Sequence, residues 1–346
     1  MATLQVGPTR TYKTIASAVS KAAANDRIEV DAGEYLDDVP PVLRVNLTFV
    51  AVGGRVTCKT TKLISNGKGI FIAGGSSGYP SISFDGFSFV GAKVTDRNGA
   101  AIRWQAGDLT ITNCIIDHCE DGVLATPFVK GTGTVSIDRT EVRFCGAGDG
   151  QSHALYIGAI ARLTVTNSYI HDTAVGHHIK TRAANTTISG CRLLDLAGTS
   201  SYSVDVPNAG NVTISNTSIQ QGRANQNPYI FTYGVGGASN TGRNALVTTC
   251  KIVNDATSVK LCYNSVLDDV FLLTDCSFYG VPNTITALGK GPVKLQNPTW
   301  LTSRPFLDSE TAPYSEAAQV MEQGDSPDPV PPLPAEGEDP EPDDEE

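Results

Sequence analysis

The chain has 346 residues, of which 40% are apolar and 18% charged, with 34 glycines. This excludes a wholly disordered chain, and the charge is low for a helix-rich one; Gly with abundant Thr, Ser, Asn and Val favours strands and turns. The net charge of −10 is uneven: residues 308–346 hold 14 acidic and no basic residues, leaving 26 basic against 36 − 14 = 22 acidic in the body, a net of +4.

In chain order, the first predicted element is a short helix in TYKTIASAVSKAAANDRIEVDAGEY, with Ile15, Ala18, Val19 and Ala22 on one face. A strand follows at Ile28, Glu29 and Val30. In AIRWQA, alternation turns Arg103 and Gln105 outward. A repeat then takes over. The strand centres Ile111, Ile137, Val165, Ile188, Ile214, Val247 and Leu273 stand 26, 28, 23, 26, 33 and 26 residues apart. That period is too short for βαβ units of roughly 30 or more residues and lacks helical patterning between strands, so the coils are read as all-β.

Two residues after the centres stand Asn113, Asn167, Gly190 and Asn216, residues that tolerate the left-handed conformation of a sharp bend. Three residues after them stand Cys114, Thr140, Ser168, Cys191, Thr217, Cys250 and Cys276, a predicted inward ladder of small side chains. Six of the eight cysteines fall on such ladders, Cys119 and Cys145 on a second one, and no C-x-x-C spacing occurs. The cysteines are therefore read as small buried residues, with disulfides and metal as the lesser alternatives.

Repeats of about 25 residues with Asn bends and inward ladders, behind the opening helix, resemble the right-handed parallel β-helix of pectate-lyase-like proteins. The resemblance covers roughly residues 5–300. It implies an all-β solenoid whose short N-terminal helix caps the open end, because an uncapped end exposes core and unpaired backbone. The expected division is a β-helix domain over 1–306 and a disordered, acidic, Pro-rich tail over 307–346. Such folds carry lyases, hydrolases, epimerases and phage tailspikes, so function must come from the site.

On that fold, alternation in HALYIG, HHIKTRA and SYSVDVPN sends Leu155, Ile157, Ile179, Thr181, Val204 and Val206 inward. Tyr156, His178, Lys180, Arg182, Ser203 and Asp205 then face out. One column reads Arg103, a coil near Leu124, Tyr156, Lys180 and Asp205, with neighbouring coils about 4.8 Å apart. Since His177 and His178 are adjacent, a regular strand exposes one of them, and His178 is preferred.

These groups suit removal of the C5 proton from a uronate. The sugar carboxylate must be neutralised, a base must take the proton and an acid must serve the leaving oxygen. Lys180 and Tyr156 are the candidate base and acid, Arg182 and His178 the carboxylate ligands, and Asp205 completes the catalytic set. Arg103, Gln105, His153, Tyr202, Ser203, Asn208 and Tyr229 are candidate substrate contacts. In the insertion NQNPYIFTYGVGGASNTGRN, Tyr229, Phe231 and Tyr233 either wall a groove or pack in the core. A glycosidase fits less well, because Asp205 lacks an outward carboxylate partner. Asp172 and Asp195 are read as turn residues. The clustered acidic calcium site of pectate lyases is not visible near Lys180, so neither metal nor cofactor is expected, and Ca²⁺ dependence and pectate as substrate lose their basis.

The expected partner is an acidic polysaccharide, engaged by a monomer through lyase or epimerase chemistry. The rival is a non-catalytic glycan-binding or structural β-helix, such as a tailspike segment or adhesin. Nucleic acid is not expected from a body of +4, and no run approaches the 18 apolar residues of a membrane span. No signal peptide is visible, and the expected location is extracellular or virion-associated. For the tail, a solubiliser, a partner hook and a polyanion mimic competing for the groove all remain open.

Overall fold

The computed structural model describes residues 1–75, 78–257, 259–282 and 288–307. The chain winds into stacked coils with three strand faces, and every strand pairs in parallel with its equivalent one coil on. The first face shows how the sequence builds them. Five-residue strands such as Arg162–Thr166 and Asn185–Ser189 alternate buried Leu, Val, Ile or Thr with more exposed polar residues. Their inward side chains stack in register as Leu4, Ile28, Phe49, Phe84, Ile111, Ile137, Val165, Ile188, Ile214, Val247, Leu273 and Leu295. The seven centres expected from sequence are seven successive rungs of this ladder.

The corner after the first face is left-handed. Asn113, Arg139, Asn167, Gly190, Asn216, Thr249 and Asp275 have φ of 52°, 45°, 49°, 66°, 49°, 54° and 54°. Asn and Gly marked four of these corners in the sequence; Arg139, Thr249 and Asp275 adopt the same conformation without that signal. Directly after each corner sits the small-residue ladder, and it is a hydrogen-bonded one. The hydroxyl or thiol of Cys114, Thr140, Ser168, Cys191, Thr217, Cys250 and Cys276 donates to the carbonyl two residues back. Thr140, Ser168 and Thr217 also accept the backbone N–H of the ladder residue one coil earlier. The position thus demands a small side chain that can donate, which explains why Cys exchanges with Thr and Ser there. All eight cysteines are free and buried.

The second face continues the same sheet through strands such as Glu141–Arg143, Tyr169–His171 and Arg192–Leu194. The third is a separate nine-stranded sheet that includes Ala100–Trp104, Asp121–Ala125, Leu155–Ile157, Ile179–Thr181, Val204–Val206 and Tyr229–Tyr233. Between the faces lies a continuous core in which Leu155, Ile157, Ile179, Val204 and Val206 point inward as expected. Phe231 and Tyr233 belong to that core too, so the aromatic insertion does not wall a groove with them.

Each end adds a feature that the repeat does not announce. The helix, Ile15–Val19, buries Ile15, Ala18 and Val19, and the Thr14 hydroxyl caps it by accepting the Ser17 N–H. Yet it does not open the solenoid: a strand, Thr3–Val6, precedes it and pairs with Arg27 to Val30. At the other end, the chain after Trp300 runs back over the second face. Arg304 chelates Asp255 through two bonds of 2.7 Å, and Leu307 is buried against Tyr169, Leu194 and Val253. The acidic tail, from Asp308 onward, lies outside the described residues. No helix among the described residues is long and apolar enough to cross a membrane.

Candidate functional site

Parallel pairing on the third face places Arg103, Leu124, Tyr156, Lys180, Asp205 and Thr232 side by side on six successive strands. The Lys180 ammonium lies 4.9 Å from the centre of the Tyr156 ring. Asp205 accepts a hydrogen bond from the Thr232 hydroxyl. The column is not exposed, contrary to the reading of these side chains as surface groups. Lys180 is 1% exposed, Asp205 3%, Arg103 4% and Tyr156 7%. Ser203 is buried as well, and Gln105 and Arg182 are half-buried.

A second column runs beside the first, three residues earlier in each coil: Asp121, His153, His177 and Tyr202. Each member accepts the backbone N–H of the next. Asp121 takes that of His153 at 2.8 Å, His153 Nδ1 that of His177 at 3.0 Å, and His177 Nδ1 that of Tyr202 at 3.2 Å. The rings stack accordingly, with centroids 4.5 Å apart for His153 and His177 and 4.7 Å for His177 and Tyr202. His153 also meets the Tyr156 ring edge-on at 5.0 Å.

This relay fixes the histidine chemistry. With Nδ1 occupied by an N–H donor, the proton of each neutral ring must sit on Nε2. Burial first, then the neighbouring positive charges including Lys180, hold both histidines well below the ordinary imidazole range. Both rings are therefore neutral near pH 7 and present Nε2–H donors. His177 Nε2 faces Asp205 at 3.6 Å, while His153 Nε2 is buried with no partner. Asp121 is affected the other way: burial pushes its carboxyl up to about 8.

The preference for His178 over His177 is thus reversed. His178 sits in the turn before the strand, where Nδ1 meets the Thr173 hydroxyl at 2.8 Å and Nε2 faces Asp195 at 2.8 Å. Asp195, read as a turn residue, follows the strand Arg192–Leu194, is fully buried and also accepts the Ser200 hydroxyl and the Gly222 N–H. Arg182 turns to Asn208, at 2.8 Å, rather than to the column. Tyr229 stands one coil beyond Tyr202, against Lys260 and Tyr263. The structure brings together Tyr156, Lys180, Asp205, His153 and Tyr202, and it leaves out His178, Gln105, Asn208 and Tyr229. Asp121 and His177 were missed. The constant three-residue offset from the column would have found both.

Among the described residues, no group of three or more His, Cys, Asp or Glu is placed to hold a metal. A concavity of about 460 Å³ lies elsewhere, on the second face, lined by Leu196, Ala197, Gln220, Arg223, Asp255 and Arg304. Its Arg304 is already chelated by Asp255, and it holds none of the unpaired donors, so the third-face columns are the better candidate site.

A family model described as the right handed beta helix region matches residues 48–193 and 104–299. Among solved structures, ORF18 of Geobacillus virus E2 is similar with a TM-score of 0.52 and 14% identity, over 83% of this chain and 56% of that one. The chain thus spans little more than half of that viral protein. The mannuronan C-5 epimerase AlgE6 A-module of Azotobacter vinelandii gives 0.47 and 12% identity, over 84% of this chain and 94% of that one. The pectin methylesterase of Aspergillus niger gives 0.30 and 14%, over 87% and 86%. At such identities the likeness concerns the fold alone, and the last two superpose too loosely to bear on more. No curated protein matches the chain.

Proposed function

Since the chain belongs to the right-handed β-helix family, whose strand faces line up side chains from successive coils, we propose that it acts on an acidic, uronate-containing polysaccharide at the third-face columns. The reaction is removal of the C5 proton, completed either by β-elimination or by reprotonation on the opposite face. One observation carries this reading: Lys180 lies in register between Tyr156 and Asp205, beside two neutral histidines locked as Nε2–H donors.

A proton next to a carboxylate leaves only if the growing negative charge is met by fixed donors in a dry site. His153, His177 and Arg103 supply such donors, and they replace Arg182 and His178 in that role. The tautomer lock removes the histidines as bases, so base and acid fall to Lys180 and Tyr156, in either assignment. Asp205, facing His177 and bonded to Thr232, orients the histidine. The chain works as an extracellular or virion-associated monomer in this reading.

One observation favours the rival, a non-catalytic glycan-binding or structural β-helix: a lysine 1% exposed must be uncovered before it can reach a sugar. Ultraviolet absorbance separates the readings in part, because β-elimination leaves conjugated, absorbing uronate ends. A signal on one polymer of a uronate panel, absent with Lys180→Ala, is the outcome expected of a lyase. A signal that persists in the variant would remove Lys180 from the mechanism.

A further inference from the structure

We infer that the outer side of the third face around Leu124 is a carboxylate-binding subsite formed by Arg103, His153 and Tyr156. Arg103 and Tyr156 pair with Leu124 from the strands on either side of it, and the His153 ring meets that of Tyr156. Each presents a buried polar atom without a hydrogen-bond partner: Arg103 Nη1, His153 Nε2 and the Tyr156 hydroxyl. A buried donor left unmet costs about 1–3 kcal/mol, so three on the two coils that flank Leu124 are unfavourable unless an acceptor is supplied there.

The chemistry of the set narrows that acceptor. Arg103 Nη1 and His153 Nε2 can only donate, the latter because backbone N–H occupies Nδ1, and the tyrosine hydroxyl can donate as well. Arg103 donates through Nε to the Thr126 hydroxyl at 2.9 Å, which sets the guanidinium plane, and it makes no ion pair among the described residues. A planar anion with two oxygens satisfies such a fork and its two neighbours. Leu124 and Ala100 pack with Tyr156 as a buried apolar patch beside these donors. The Asp121 carboxyl, whose charge bears on Arg103, is pushed up to about 8 by burial first, with Asp149 and Glu120 adding to it against the opposing His153 N–H and Arg103, and makes no ion pair with that guanidinium.

The subsite rests on the proposed function for the choice of a uronate as ligand; capture of an anion does not depend on catalysis. The test is calorimetric titration of the full chain with short oligomers of galacturonate, mannuronate and glucuronate, each beside its neutral methyl ester. At least one acid form is expected to bind ten or more times tighter than its ester, and Arg103→Gln is expected to bring the acid form down to the ester's affinity. Tyr156→Phe, which keeps the ring and the packing, is expected to weaken the acid form several-fold even if Arg103→Gln fails to fold. Equal affinity for acid and ester, no binding of any acid oligomer, or full affinity in both variants would overturn the subsite. Acid-selective binding without C5 chemistry would leave the subsite standing and remove the lyase or epimerase reading; C5 chemistry on a polymer whose acid and ester oligomers bind equally would do the reverse.

Discussion

The corner ladder and the third-face column are built by the same stacking rule and end in opposite states. At the corner, Cys114 to Cys276 donate to local carbonyls, and Thr140, Ser168 and Thr217 take an N–H from the neighbouring coil as well. On the third face the backbone relay through Asp121, His153 and His177 is equally regular, yet Arg103 Nη1, His153 Nε2 and the Tyr156 hydroxyl are left buried and unmet. A solenoid can satisfy buried polar groups coil after coil, so a local failure to do so marks a place shaped for something other than stability.

Substitutions can break or sharpen this contrast. The largest effect is expected of Lys180→Ala, which should lower turnover on a responsive polymer by about 10²–10⁴-fold, the usual worth of a general acid or base. In the ladder, Thr217→Val keeps the shape but orphans the Cys191 N–H and leaves the Ser215 carbonyl with the Gly190 N–H as its remaining donor. It should cost about 1–3 kcal/mol in a denaturant melt and leave turnover unchanged. Tyr156→Phe should do the opposite: stability within about 1 kcal/mol of wild type, or slightly higher, with turnover reduced.

The pH dependence divides in the same way. His153 and His177 have depressed values in the fold, so below about 6.5 the unfolded chain gains protons that the folded chain cannot, and stability falls as pH falls. Asp121 has a raised value, so its contribution is fully present below about 4 and is lost as pH rises toward 8. Melts across pH should therefore weaken on both sides, with Asp121→Asn flattening the alkaline limb. The smallest effect is expected of Arg304→Ala, whose partly exposed pair with Asp255 should be worth less than about 1 kcal/mol.

How much was legible follows strand length. On the first face, strands of four or five residues give alternation enough room, and the ladder from Ile111 to Leu273 reads directly off the sequence. On the third face the strands Leu155–Ile157, Ile179–Thr181 and Val204–Val206 have three residues each. Parity holds for Tyr156, Lys180 and Asp205 at their centres. It fails one residue outside, where His178 belongs to the turn and His177 comes to lie in the column. Burial of the column was not legible, because alternation tells which side of a strand a residue takes and not how much of that side is covered. The strand Thr3–Val6 and the docking of Leu307 carry no repeat that could announce them.

The measurement that tests the central claim most directly is release of label to water from uronate polymers tritiated at C5, since elimination and epimerisation both take that hydrogen. Release by the wild-type chain that disappears with Lys180→Ala is the predicted result. Tight binding of the same polymers with no release would contradict it and leave the third face a binding surface.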